Sequence, residues 1–218
     1  MIPADDAPVP RGLPGPLPSG ELILWQGSPV AASFARDVLH GRLFHVYFGA
    51  AGLGVAAFQA SQGRPLSSIA VSLGLVGLAW LSLTALLRGY AALVARSSVY
   101  TITTKRTVLR IGIAWPVTLN LPHASVEGAG LKTRPDGTGD LPIALGGTGR
   151  IAYPVLWPHA RPWRLGRPEP MLRAVPDAAQ VATILARALG AGPLGRAATA
   201  RAGAAPAHTL TTLSSRAA

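Results

Sequence analysis

The chain has 218 residues, 49% of them hydrophobic and only 13% charged, where an ordinary soluble domain is about 25% charged. Twenty basic residues, all but two of them arginine, oppose nine acidic ones, for a net charge of +11 and a mean hydropathy of +0.34. There is no cysteine, which excludes disulfides, thiolate metal sites, cysteine nucleophiles and thioether or thioester lipidation. The few, scattered acids do not form a paired-carboxylate site, and the chain reads as a non-enzyme with no metal-ligating set and no cofactor.

Residues 1–18 hold Asp5, Asp6 and repeated prolines without an apolar core, so they read as a disordered segment and not as a signal peptide. Residues 19–42 form an entry segment, with a strand candidate around Trp25 closed by Gly27-Ser28-Pro29. An amphipathic helix over 31–42, carrying Phe34, Val38 and Leu39 on one side, is expected to lie in a membrane interface.

Residues 43–60 and 66–87 are two apolar runs joined by Ser61-Gln62-Gly63-Arg64-Pro65, and Arg64 is the sole charged residue from 43 to 87. At 1.5 Å rise per residue such runs match a hydrocarbon core of ~30 Å, which predicts a transmembrane helical hairpin within residues 43–95. Arg36 and Arg42 precede the first run, and Arg88, Arg96, Lys105, Arg106 and Arg110 follow the second. The positive-inside rule therefore places both termini in the cytoplasm. Gly49 and Gly52 in the first run, with Gly74 and Gly77 in the second, are candidates for close helix packing or docking to a partner span. His40, just before the first run, and His45, just inside it, are candidate ligands for a pigment metal. For an imidazole about one turn from the interface, the plainer role is contact with water or headgroups.

Beyond residue 96 the pattern turns to β. Residues 99–103 and 107–113 read as a hairpin around Thr104-Lys105-Arg106, 117–121 as a third strand and 125–131 as a fourth. Asp136-Gly137-Thr138-Gly139-Asp140 is dense turn chemistry. It lacks the further carboxylates of a calcium loop. Residues 141–145 are apolar, Gly146-Gly147-Thr148-Gly149-Arg150 is a turn and not a phosphate loop, and 151–157 is a strand candidate broken at Pro154. Val181, Ile184, Leu185 and Leu189 fall at helical spacing within 176–189, with Asp177 as N-cap and Gly190 as stop. Residues 191–218 read as a disordered tail.

The sharpest local signal spans residues 156–164, where Trp157, His159, Arg161, Trp163 and Arg164 are interleaved with prolines. Trp and Arg favour both headgroup regions and binding hot spots, so these residues, with Trp25, are the candidate contacts to a partner. A rigid loop with its Trp rings plugging the β-domain is the structural alternative.

Several of these segments together resemble the photosynthetic complex (reaction centre) assembly family of purple bacteria, PuhB type. They are Leu17-Pro18-Ser19-Gly20-Glu21-Leu22-Ile23-Leu24-Trp25-Gln26-Gly27-Ser28-Pro29, Asp136 to Asp140, residues 156–164 and Pro168-Glu169-Pro170-Met171-Leu172-Arg173. Tyr100-Thr101-Ile102-Thr103-Thr104-Lys105-Arg106 with Arg110-Ile111-Gly112 resembles the bacterial pleckstrin-homology pattern within that family. The resemblance covers roughly residues 17–189. Members are often drawn with three spans, whereas this chain supplies two, because residues 91–121 are cut by Arg96, Lys105, Arg106 and Arg110.

The fold expected is a membrane-anchored α+β one. A two-helix hairpin carries a small pleckstrin-homology-like β-barrel or sandwich over residues 96–190, closed by a C-terminal amphipathic helix. The resemblance implies a non-enzymatic factor of the inner, intracytoplasmic membrane that binds reaction-centre or core light-harvesting antenna subunits during assembly. Membrane lipids and a second copy of the chain are further partners it allows, and nucleic acid is not. Two other readings stand beside it: a lipid-binding module of general membrane homeostasis, and a bacteriochlorophyll carrier using His40 or His45.

Overall fold

The structure, a computed structural model, describes residues 9–147 and 151–190. Its organising feature is where the apolar hairpin is inserted. Strand β1 (Ile23–Gly27) precedes the hairpin and pairs antiparallel with β2 (Val99–Thr103), which follows it; Ile23 stands opposite Thr103 and Gly27 opposite Tyr100. The hairpin is thus the connection between two neighbouring strands. Both of its ends are held by one sheet.

Between those strands, α1 (Ala31–Ser33) runs into a π-turn over Phe34–Val38, then α2 (Gly41–Ser61) and α3 (Leu66–Ser97) follow. The 21 residues of α2 and 32 of α3 span about 32 Å and about 48 Å at the α-helical rise. Both helices are long and apolar enough to cross a membrane. Between them, polar side chains meet: Gln59 Nε2 donates to Ser72 Oγ at 2.7 Å and Trp80 Nε1 donates to His45 Nδ1 at 2.9 Å.

The second helix does not stop at Leu87. It continues to Ser97 because Arg88, Ala91, Ala92, Leu93 and Arg96 are good helix formers that outweigh Gly89, and no proline intervenes. Its last turns bury Ala91 and Val94 against Phe34, Ala35, Val38 and Ala174. Residues 31–38 are therefore not an interfacial helix. Phe34 is fully buried inside the protein, so its apolar side faces α3 and the β-domain instead of lipid.

The first sheet has the order β1-β2-β3-β4, with β3 at Arg106–Ile111 and β4 at Val117–Pro122. Gly112, at φ +105°, makes the β3–β4 turn; a Cβ there would lie 2.2 Å from the Trp115 carbonyl oxygen. The second sheet has β5 (Val126–Ala129), β6 (Lys132–Thr133) and β8 (Met171–Val175) around the central β7 (Gly139–Leu145). One short helix, α4 (Tyr153–Leu156), lies between β7 and β8, and α5 (Ala178–Gly190) closes the domain. Val181, Leu185 and Ala188 of α5 face a core of Tyr100, Ile102, Leu109, Ile111, Leu141, Ile143 and Leu172. The fold class is the α+β one expected: two long apolar helices, antiparallel sheets and a C-terminal helix.

Other elements differ from expectation. Residues 151–157 are not a strand: Pro154 sits in the first turn of α4, where its missing N–H has no helical partner to lose. Strand β8 was not anticipated, since Leu172, Ala174 and Val175 are all buried and show no alternation. Residues 9–18 are packed and not disordered. Leu13 is buried, Gly12 lies on Val99, and the Arg11 carbonyl accepts a 2.6 Å hydrogen bond from Gln26 Nε2. Residues 1–8, residues 148–150 of the Gly-rich turn, and the tail 191–218 lie outside the described residues.

Candidate functional site at the helix and sheet junction

The bases of α2 and α3, the β6–β7 hairpin and the Trp-rich loop enclose a cleft of about 1150 Å³. Its floor is made by a network around Asp140 that the turn sequence Asp136-Gly137-Thr138-Gly139-Asp140 positions. Gly137, at φ +78°, closes the turn, and Gly139 admits no side chain, since a Cβ would lie 2.5 Å from that of Ala178. Asp140 Oδ2 accepts from Arg134 Nη2 at 2.5 Å and meets Arg173 Nη1 at 3.6 Å. Asp140 Oδ1 accepts the Ala174 N–H at 2.8 Å, released where β8 bulges at left-handed Ala174 (φ +48°). Burial pulls the Arg173 guanidinium below its usual range, against the opposing pull of Asp140.

Asp136 ties the same turn to the entry segment. Its Oδ1 accepts from the Thr138 backbone and hydroxyl, and its Oδ2 accepts from Ser33 Oγ and from Arg36 Nη2. These hydrogen bonds, that of Arg36 foremost, hold the Asp136 carboxyl far below the carboxylate range. Asp37 Oδ2 accepts from Arg36 Nε at 2.9 Å and lies 3.2 Å from Arg134 Nε. The two aspartates of the turn thus act as clasps between backbone and arginine, each satisfied by the protein itself.

Five cationic side chains line the cleft (Arg36, Arg42, Lys132, Arg134 and Arg173) against two carboxylates, Asp37 and Asp140. Among the described residues, neither Arg42 nor Lys132 forms an ion pair. Buried Arg134 Nη1 also has no acceptor among them, a state that costs about 1–3 kcal/mol for a buried donor left unsatisfied. The wall on the helix side is apolar and comprises Phe44, Leu86, Leu87 and Tyr90.

The structure divides the residues singled out in the Trp-rich loop. His159 is 1% exposed and belongs to the interior. Its Nδ1 lies 2.7 Å from the Tyr100 hydroxyl and its Nε2 3.2 Å from Ser98 Oγ. The Arg173 N–H donates to the Tyr100 oxygen, so the phenol O–H donates to Nδ1 and the Nε2–H donates to Ser98. Burial, with Arg173 nearby, pushes the His159 pKa down to about 3. As a partner contact His159 is therefore excluded by burial.

Arg161 Nη1 and Arg164 Nη1 both grip Glu169, at 2.7 and 3.3 Å, and the Arg161 N–H donates to the Glu169 carbonyl. This staples the loop into a return whose tip is Trp163, 95% exposed at φ +64°. Trp157 is 54% exposed and stacks obliquely on Tyr90, ring centroids 6.0 Å apart. Trp25 is half-buried: it packs on the core and its ring covers Gly27, so it plugs the sheet edge. Trp115, 86% exposed in the β3–β4 turn, is an exposed aromatic that its single flanking proline did not mark.

Of the four glycines, Gly52 alone has the facing helix beside it, with Leu73 and Val76 within 4 Å of a Cβ; Gly49, Gly74 and Gly77 have open space there. His40 is exposed and caps α2 in a left-handed conformation (φ +57°). His45 cannot offer Nδ1 to a metal while it accepts from Trp80, whose indole can only donate. The neutral ring then carries its proton on Nε2.

Residues 48–189, from inside α2 to the end of α5, match the bacterial PH domain family. The chain belongs to that family. The match includes most of the hairpin, so in this bacterial PH domain protein the long helices and the sheets form one family unit. A Rhodobacter capsulatus protein described as an uncharacterized 23.7 kDa protein in the puhA 5′ region is 37% identical over 182 residues, 81% of this chain and 83% of that one. No solved structure matches.

Proposed function

We propose that this bacterial PH domain protein is a non-enzymatic assembly factor of the inner membrane that binds subunits of the photosynthetic reaction centre and its core antenna. The observation that carries this reading is the 37% identity, over most of both chains, to a protein from the puhA 5′ region, a location suggestive of a photosynthesis gene cluster. Two helices without a buried residue in their most apolar windows support membrane insertion, because a soluble surface rarely leaves so large an apolar area uncovered. The arginines at both cytoplasmic ends support a multi-pass topology with both termini inside.

The insertion of the hairpin between β1 and β2 supports action at the membrane surface. A domain tied at two points, and packed on the last turns of α3, keeps one face toward the bilayer. Trp157 and Trp163 then stand where a subunit entering the membrane passes. Deleting the gene in a phototrophic host tests the reading. The expected result is a marked fall in reaction-centre and core-antenna absorbance with bacteriochlorophyll synthesis intact. Unchanged absorbance overturns it. Extraction of membranes with alkaline carbonate checks insertion separately: the protein stays in the pellet if it spans the bilayer.

A further inference from the structure

We propose that the junction cleft binds the phosphate headgroup of an anionic phospholipid, whose acyl chains lie along the apolar bases of α2 and α3. The inference rests on the membrane placement proposed above and is independent of the assembly role.

Three observations converge on this ligand. The cleft is built from the helix bases themselves: Phe44, Leu86 and Leu87 line it together with the cations of the β-domain. A molecule already in the bilayer reaches it by lateral diffusion. Its charge is unbalanced, since Asp37 and Asp140 are engaged by Arg36, Arg134 and Arg173, while Arg42 and Lys132 form no ion pair among the described residues.

The third observation is the rim. Trp157, Trp163 and Leu165 stand around the opening, all exposed. Indole rings beside cations match the chemistry of the headgroup level, where an amphipathic ring meets glycerol and phosphate. A soluble phosphate would use the cations and leave the apolar wall unused. A phospholipid uses both.

The test employs the full chain, delipidated in detergent and studied by native mass spectrometry. Dioctanoyl-phosphatidylglycerol, dioctanoyl-phosphatidylcholine and inorganic phosphate are the probes. Phosphatidylglycerol is expected to bind about thirtyfold tighter than phosphatidylcholine, and the double variant R42Q/K132Q to lose about thirtyfold in that affinity, the scale of two cations at a charged membrane surface. Both side chains are exposed, so the variant keeps its fold, which its unaltered melting temperature verifies.

Equal binding of the two lipids overturns the proposal, because the slot is then merely apolar. Displacement of phosphatidylglycerol by inorganic phosphate at equal concentration overturns it in favour of a free anion. Full phosphatidylglycerol preference in R42Q/K132Q removes the site from this cleft. If the variant keeps lipid affinity but stops capturing reaction-centre subunits, the cleft is a protein surface and the proposal fails.

Discussion

The phenolic oxygen of Tyr100 lies 2.7 Å from Nδ1 of His159, and this bond joins β2, the first strand after the long helices, to the Trp-rich loop. The same imidazole reaches Ser98, the C-cap of α3, and its ring centroid lies 5.9 Å from that of Phe34 in the entry segment. Four parts of the chain meet at one buried side chain. The exposed tryptophans stand on a base that the interior fixes.

Tyr100→Phe removes the donor to Nδ1 and the acceptor of the Arg173 N–H while keeping the ring. A loss of about 1–3 kcal/mol is expected for buried polar groups left unpaired. Denaturant unfolding of the detergent-solubilised protein measures it. A change within experimental error shows that the network does not hold the loop.

His159 also sets an acid sensitivity. Its pKa in the folded protein is about 3, below the unfolded value of about 6.5, so between these values the unfolded chain binds a proton that the folded one does not. Stability is therefore full above about pH 6.5 and falls as pH drops toward 3, by up to about 1.4 kcal/mol per pH unit. His123, whose pKa burial also lowers, adds to the slope in the same direction. His159→Gln should flatten the part of the melting-temperature profile between pH 6.5 and 5 and leave the His123 share. An unchanged profile contradicts the neutral buried imidazole.

Asp140→Asn leaves Arg134 and Arg173 beside a neutral amide. Removing one partner from such a buried cluster costs about 3–5 kcal/mol. Asp136→Asn should cost less, because its partner Arg36 lies nearer the surface and keeps Asp37. Parallel unfolding titrations rank the two, and the reverse order would contradict the clasp around Asp140.

Leu185→Ala, which opens a hole between α5 and the sheets, should cost about 2–5 kcal/mol. Trp163→Ala, at a bare loop tip, should change stability by no more than about 0.5 kcal/mol. This pair separates a residue kept for the fold from one free for contact. A large stability loss in Trp163→Ala would mean that the tip packs on something.

The hairpin and β2 to β4 were legible in the sequence because their signals are local: unbroken apolar runs, and β-branched segments cut by turns. Strand β8 was not, since burial on both faces erases its alternation. The cleft was not legible either. Arg42, Lys132, Arg134 and Arg173 are scattered through the chain and converge only when the hairpin is inserted between β1 and β2 and β8 pairs with β7. His159 looked like a contact because its neighbours are Trp, Pro and Arg, but its partners Ser98 and Tyr100 lie some 60 positions earlier. Trp163 was read from composition alone, and the structure leaves it exposed.

We propose that this protein engages photosynthetic subunits at the membrane through the Trp157 to Trp163 loop. Affinity purification of the tagged full chain from phototrophically grown cells, beside the variant Trp157→Ala/Trp163→Ala at matched protein level, tests it most directly. Reaction-centre or core-antenna subunits are expected with the parent protein, and several-fold fewer with the variant. Equal recovery in both, or none in either, contradicts it.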